Sequence, residues 1–294
     1  MSRMNAETRA REAEHQARII NYYEIAQRYY KLAWCGNTYG LHYGIWADGV
    51  RTRHQAITKE NEVLADLAGI KEGDRVLDAG CGIGGSGIWL AKNRGATVVG
   101  LNIVQKQLTE GEDLVRKKGL SAKVTFELGD YQNIPLLDES FDVYWSCESI
   151  EHATDVKTAI SEAFRILKPG GRLVMAATFL GRKNISEKER RQMKVGQDVS
   201  GCFNDFHTAE YVTDAMRNSG FTNIENTDMT DKVMKSSREM TRMCRLGLPP
   251  AKILAAIYLM PRVLVLNNQW GTYQEKLFRD RATSYNVLLA TKPK

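Results

Sequence analysis

Residues 76–85 read VLDAGCGIGG, and Gly80 to Gly85 satisfy the pattern G-x-G-x-x-G. Glycines at this spacing let a chain turn tightly out of a strand. They also let a ligand approach the backbone with no Cβ in the way, facing the first N–H groups of the following helix. A second cluster, CESIEH over residues 147–152, brings Cys147, Glu148, Glu151 and His152 into six positions. Side chains of these types can orient a substrate, take up a proton or face positive charge that develops during a reaction. Each cluster also has a purely structural explanation. The glycines suit a tight strand-to-helix turn, and a carboxylate after a strand can cap the next helix while the histidine sits in an ordinary loop.

Both clusters need strands that end at them. RVLDAG, TVVGLN, VTFELGD, FDVYWS and GRLVMAAT read as strands, separated by the helical runs IWLAKN, VQKQLTEGEDLVRKKG and VKTAISEAFRIL. That alternation predicts an α/β fold, Rossmann-like, with a mostly parallel sheet and helices on both faces. Residues 5 to about 33 carry Ile19, Tyr22, Tyr23, Ile25, Tyr29 and Tyr30 at helical spacing, so the chain is expected to open with one or two amphipathic helices. The resulting division is a helical lid and loop over residues 1–55, a core over 56–228, a helical insertion over 229–280 that covers a substrate, and a last strand over 281–294. N- and C-terminal helical lid segments thus flank the sheet.

The 294 residues, 43% of them apolar, suffice for one large core and a modest second lobe. Five scattered cysteines with no C-x-x-C pair predict neither a disulfide framework nor a zinc knuckle, and no His/Cys/Asp set has metal-ligand spacing, so no metal is expected. The first thirty residues lack an apolar leader, and a cytoplasmic location fits the cysteine usage. The net charge of +6 is spread among acidic neighbours, so a solvated surface is favoured over a nucleic-acid partner. Residues 249–266, PPAKILAAIYLMPRVLVL, are apolar nearly all around a helix, and the longest apolar stretch, Ile253 to Leu266, contains Pro261 and Arg262 and falls short of a membrane span. They are expected to cover an apolar pocket as a lid helix, with contact to a membrane surface as the alternative.

Three polar positions narrow the ligand. Asp78 ends the first strand, where a carboxylate crowds a pyrophosphate but positions a cationic amino group. Asn102 ends the second strand, where a dinucleotide site would carry a ribose-binding acid, and its amide still hydrogen-bonds hydroxyls. An aspartate at that position is expected to serve a ribose equally well. Asp130 and Tyr131 end the third strand as a polar pair suited to an adenine edge. A ligand with an amino-acid end, a ribose and an adenine in that order is S-adenosylmethionine.

VLDAGCGIGG, GLN, ELGDYQNIPLLDESFD and LKPGG together resemble the motifs of class I S-adenosylmethionine-dependent methyltransferases, across most of residues 74–177. The resemblance implies that Asp78, Gly80 and Gly82 hold the methionine part, Asn102 the ribose, and Asp130 with Tyr131 the adenine. Ile103, Gln107, Gln132 and Cys147 complete the cofactor set that it implies. Many members have Asp or Glu where this chain has Asn102. YYEIAQRYYKLAWCGNTYGLHYG, GLNIVQKQ, CESIEH and the tail MPRVLVLNNQWGTYQEKLFRDRATSYNVLLATKP resemble more narrowly the subgroup of sterol and tocopherol C-methyltransferases, near cyclopropane fatty acid synthases and plant alkaloid N-methyltransferases.

The function this implies is methyl transfer to a small, lipophilic acceptor at carbon, of prenyl, sterol or quinone type. An amine N-methyltransferase is the second reading and a nucleic-acid-modifying protein the third. Methyl transfer from a sulfonium is an in-line displacement, so donor and acceptor must be held close, aligned and dry. Glu148, Glu151 and His152, with Tyr23 and Tyr30 of the N-terminal helix, are the candidate catalytic residues. The loop around His42 and Tyr43 is expected to close over the cofactor.

Overall fold

The computed structural model describes residues 6–201 and 207–294. Among these the sheet has seven strands in the order β3-β2-β1-β4-β5-β7-β6. β1 (Arg75–Ala79), β2 (Thr97–Asn102), β3 (Val124–Leu128), β4 (Phe141–Cys147) and β5 (Leu167–Leu180) run parallel, as the alternation predicts. β7 (Thr283–Thr291) inserts antiparallel between β5 and β6 (Thr222–Asp228). Successive residues of a strand face opposite sides. Val76, Val98 and Val143 therefore pack with Leu64 of α2 (Arg53–Leu67) and Leu90 of α3 (Gly85–Arg94). Leu77, Leu101 and Tyr144 pack on the other side with Ile160 of α5 (Val156–Ile166) and Met216 of α7 (Ala209–Ser219). Burial on both faces explains why the central strands read as continuous apolar runs.

Strand order reverses between β1 and β4, and the crevice at such a reversal is where open α/β sheets bind ligands. The glycine turn leaves β1 there and CESIEH leaves β4 there, so the topology brings the two clusters together. α1 (Ala6–Tyr30) lies outside the sheet and continues through a short π-helical turn, Lys31–Cys35, as the aromatic spacing predicts. α6 (Glu187–Ser200), α8 (Thr230–Ala256), α9 (Arg262–Gly271) and α10 (Gln274–Arg279) form a second helical layer. Tyr22 and Ala26 of α1 bury against Val199 and Leu264 of that layer. Cys202 lies outside the described residues, and the four described cysteines are free.

The stretch around Pro249–Leu266 departs from expectation. Ile253 is 65% exposed, Ile257 57%, Tyr258 96% and Leu259 73%, so these side chains face outward at the turn between α8 and α9. Apolar residues all around a helix do not report burial here, because α8 projects beyond the layer that covers its first half. Buried side chains of α8, Val233, Ser236, Ser237, Thr241 and Cys244, precede the prolines, and Ala251 alone follows them.

One aromatic ring fixes the glycine turn. Phe126 of β3 lies where a Cβ on Gly84, Gly100 or Gly111 would come within 2.6, 2.9 or 2.7 Å of it. Three glycines thus make room for one ring, which locks the turn, β2 and α4 (Gln105–Lys117) together. Gly111→Ala should gain up to about 1 kcal/mol in helix propensity but lose about 1–3 kcal/mol to overpacking against Phe126. A net loss in urea unfolding is expected, and a stabilised variant would show that the ring moves aside freely.

Candidate active site

The cleft at the strand reversal holds about 940 Å³ including its mouth, and every expected cofactor residue lines it. Asp78, Gly80, Gly82, Asn102, Ile103, Gln107, Asp130, Tyr131, Gln132 and Cys147 all border it. A second chamber of about 910 Å³ lies beside it. Tyr23, Leu41, His42, Glu148 and His152 line both, so the two chambers adjoin at these residues. Glu151 and Tyr30 border only the second chamber.

At the first chamber's deep end, Gly80 takes φ +81° and Gly82 φ +56°, the left-handed region that glycine enters without strain. A Cβ on Gly82 would meet nothing closer than Leu41 Cδ1 at 3.9 Å, so the turn is open toward the cleft. Asp78 is buried, and its Oδ2 has no hydrogen-bond partner. Burial pushes its carboxyl up to about 7 despite the nearby His42 and the Gly87 backbone. A buried acceptor with no donor suits a ligand that brings a cationic N–H group.

Asn102 is more committed than expected. Its Nδ2 donates to the Gly82 carbonyl (3.2 Å) and to Gln107 Oε1 (2.8 Å), and its Oδ1 accepts from Val104 N (3.3 Å). The amide therefore ties the end of β2 to the glycine turn. An aspartate at this position would keep the acceptor toward Val104 N and lose the donor to the Gly82 carbonyl. At the cleft's other end Asp130 accepts from Gln132 N (2.8 Å) and from Gln16 Nε2 of α1 (2.8 Å), and Tyr131 donates to the Ser149 carbonyl (2.9 Å). Gln132 accepts from Thr154 Oγ1 and Asp155 N, which fixes the start of α5.

Neither carboxylate of CESIEH caps a helix. Asp155 caps α5, and Ile150–His152 form a single 3-10 turn. Glu148, with φ +49°, accepts from Tyr43 N (2.7 Å) and from Tyr285 hydroxyl (3.0 Å). Burial, with Glu60 and Glu151 close by, raises its carboxyl well above the usual range. Glu151 accepts from Thr178 N (2.8 Å), its Oε2 has no partner, and burial pushes it up to about 7. His152 Nε2 meets the Tyr23 hydroxyl at 3.0 Å, and burial lowers its imidazole to about 4, so it is neutral near pH 7. Tyr30 stands farther back. It shares hydrogen bonds with the Tyr22 hydroxyl (2.5 Å) and Asn267 Oδ1 (3.1 Å), joining α1 to α9.

Sequence reasoning missed Glu60 and Tyr285. Glu60, fully buried on α2, accepts from His42 Nδ1 (2.5 Å), Gly44 N (2.9 Å) and Tyr285 hydroxyl (2.5 Å). A glutamate at an inward position of an amphipathic helix was the available signal. His42, Glu60 and Cys147 place potential ligand atoms within 4.8 Å of one another. The first two are bound to each other, however, and burial raises the Cys147 thiol well above its usual range, which opposes the thiolate a metal needs.

Residues 77–175 match the family model for a methyltransferase domain, so this part of the chain, from β1 through CESIEH into β5, is a methyltransferase domain of Rossmann-like fold. The chain is similar to the sterol 24-C-methyltransferase of Aspergillus fumigatus, 35% identical over 229 residues, which cover 77% of this chain and 59% of that one. It spans less than two thirds of the length of such curated relatives. Its fold is similar to that of a cyclopropane synthase from Mycobacterium tuberculosis, with TM-score 0.82 at 17% identity over 95% and 98% of the two chains. It is similar also to the geranyl diphosphate C-methyltransferase of Streptomyces coelicolor, solved with Mg2+, geranyl diphosphate and S-adenosyl-L-homocysteine, with TM-score 0.71 at 19% identity over 95% and 97%.

A buried Asp78 facing the cofactor's amino group would make cofactor affinity depend on pH. Below about pH 7 its carboxyl holds a proton that an incoming ammonium group must expel. Affinity for S-adenosylhomocysteine should therefore rise from pH 6 to pH 8, by at most about tenfold per unit. Calorimetry at the two pH values checks this, and Asp78→Asn should flatten the dependence. Equal wild-type affinities would mean that Asp78 does not meet the amino group.

Proposed function

We propose that the protein transfers a methyl group from S-adenosylmethionine to a small lipophilic acceptor, at carbon. The observation that carries this reading is the pair of adjacent chambers that share Tyr23, Leu41, His42, Glu148 and His152 as lining residues, because in-line transfer needs donor and acceptor in separate, apposed, dry spaces. The first chamber suits the donor, with Asp78 at its amino-acid end, Asn102 beside the ribose position and Asp130 with Tyr131 toward the adenine. The second is walled by Tyr22, Tyr30, Trp34, Met240 and Trp270, and no described residue lining it is Lys or Arg.

That absence of cations opposes a diphosphate-bearing acceptor and favours a neutral one. Methylation of a carbon–carbon double bond leaves a carbocation that must lose a proton. Glu148 and Glu151 place negative or ionisable oxygens around such a cation, and Glu151, with a free oxygen and a carboxyl near 7, suits the proton acceptor. Similarity to a sterol C-methyltransferase supports the same chemistry.

The test is label from S-adenosyl-[methyl-14C]methionine offered with a sterol bearing a double bond at C24, geranyl diphosphate or N-methyldodecylamine. Label is expected in the sterol extract and not in the diphosphate. Because Glu151 acts only when deprotonated, the single-turnover rate should rise from pH 6 to pH 8. Glu151→Gln should lower it at least about tenfold. Label confined to the amine would move the reading to N-methylation, and a full rate in Glu151→Gln would remove that residue as base.

The exposed turn between α8 and α9 supports contact with an anionic membrane surface, the environment of a lipophilic acceptor. No helix among the described residues is long and apolar enough to cross a membrane. Between Glu239 and Glu275 there is no acidic residue, while Arg242, Arg245, Lys252 and Arg262 accompany the exposed Leu246, Ile253, Ile257, Tyr258 and Leu259. Apolar side chains flanked by cations fit the interface of anionic lipid. The protein should co-sediment with phosphatidylserine-containing vesicles more than with pure phosphatidylcholine, and Ile257→Asp with Leu259→Asp should abolish the difference. Concentration-dependent dimerisation lost in the same variant, with no vesicle binding by the wild type, would assign the surface to a second copy instead.

A further inference from the structure

Four residues bordering the first chamber carry a buried polar atom with no hydrogen-bond partner, Asp78 Oδ2, His42 Nε2, Gln107 Nε2 and His152 Nδ1, and the first two are acceptors of the kind an amino-acid end needs. His42 is 4% exposed, and its Nε2 lies against Gly40, where a Cβ would approach it to 2.6 Å; Gly40 itself lines this chamber. His42 is also close enough to Asp78 for its charged form to pull the aspartate's carboxyl downward. Two orphaned acceptors in one buried corner are costly unless a single donor-rich group satisfies both.

The protonation of the ring follows from its other nitrogen. Nδ1 lies 2.5 Å from Glu60 Oε2, which also accepts from Gly44 N, while Tyr285 hydroxyl donates to Oε1. With Nδ1 donating to Glu60, the tautomer set by that bond is the one whose free lone pair lies on Nε2. The titratable groups nearest the ring are thus Glu60 on α2, Asp78 on β1 and, through Tyr285, Glu148 after β4.

We propose that His42 is a second acceptor for the cofactor's α-ammonium group, with Nε2 and Asp78 Oδ2 each taking one of its N–H bonds and Glu60 holding the tautomer. This rests on the S-adenosylmethionine reading of the first chamber. It assigns to the loop before α2 a contact specific to the amino-acid end of the ligand, beyond closure over it.

Two commercial ligands separate this contact from a structural role. S-adenosylhomocysteine carries the amino-acid end, and 5′-methylthioadenosine keeps the adenosine and sulfur but lacks it. His42→Phe keeps an aromatic ring and removes the acceptor. It should weaken S-adenosylhomocysteine about tenfold, the scale of one charge-assisted hydrogen bond, and leave 5′-methylthioadenosine within about twofold. Glu60→Gln should have a smaller effect in the same direction, because an amide oxygen still accepts from Nδ1. Equal losses for both ligands in His42→Phe would reduce His42 to a packing residue, and unchanged binding would remove the contact. Tighter S-adenosylhomocysteine binding would show a charged imidazolium repelling the amino group, and would also overturn the proposal. If neither ligand bound the wild type, the cofactor reading itself would fail.

Discussion

Glu60 is a carboxylate with no solvent exposure, and the active-site side of the fold is arranged around satisfying it. Burying an ionised carboxylate is strongly unfavourable unless donors surround it. The donors here come from separate parts of the chain: His42 and Gly44 from the loop before α2, and Tyr285 from β7. Tyr285 also reaches Glu148 after β4, and Glu148 accepts from Tyr43 N. One buried carboxyl group therefore draws α2, the Gly-rich loop, the last strand and the segment leaving β4 to a single point. The two chambers adjoin where these elements meet, and His42 and Glu148 line both.

The same burial keeps the site short of negative charge at rest. Asp78 and Glu151 are both pushed up to about 7, and Glu148 is raised further by its acidic neighbours. Near neutral pH the empty site thus holds protons that formal charges would not give it. A cationic ligand reverses this balance, because an ammonium or sulfonium near these groups favours their ionised forms. Binding and proton release are linked in such a site, and the residues gain charge where positive charge arrives.

Much of this arrangement was legible in the sequence, and what was hidden has identifiable causes. Apolar strands alternating with amphipathic helices announced the parallel sheet, since period and burial are properties of short segments. The glycine turn, Asp78, Asp130 and CESIEH were readable because each sits at a strand end, and strand ends converge at the reversal between β1 and β4. Asn102 was placed correctly, but its bond to the Gly82 carbonyl was invisible, because a side chain's partners depend on register between β2 and the turn. Glu60 and Tyr285 escaped notice for the same reason at longer range, being 225 residues apart and meeting only when β7 enters the sheet. Residues 253–259 were misread because apolar periodicity reports a surface that needs covering and does not identify what covers it.

The covering layers follow from what the chambers must exclude. The sheet edge supplies Asp78, Glu148 and Glu151 but no roof, so without further helices water would reach all three and their carboxyls would return toward ordinary values. α1 closes over the first chamber through Gln16 on Asp130 and Tyr23 on His152, and α9 closes the second through Asn267 on Tyr22 and Tyr30. α1, α6 and α9 also share a smaller apolar cluster of their own, and α8 and α10 are anchored in the sheet's core through Val233 and Phe278. The polar contacts of Gln16 and Tyr23 thus mark where α1 meets the sheet edge over the first chamber, while the apolar anchoring of α8 and α10 ties the second layer to the core.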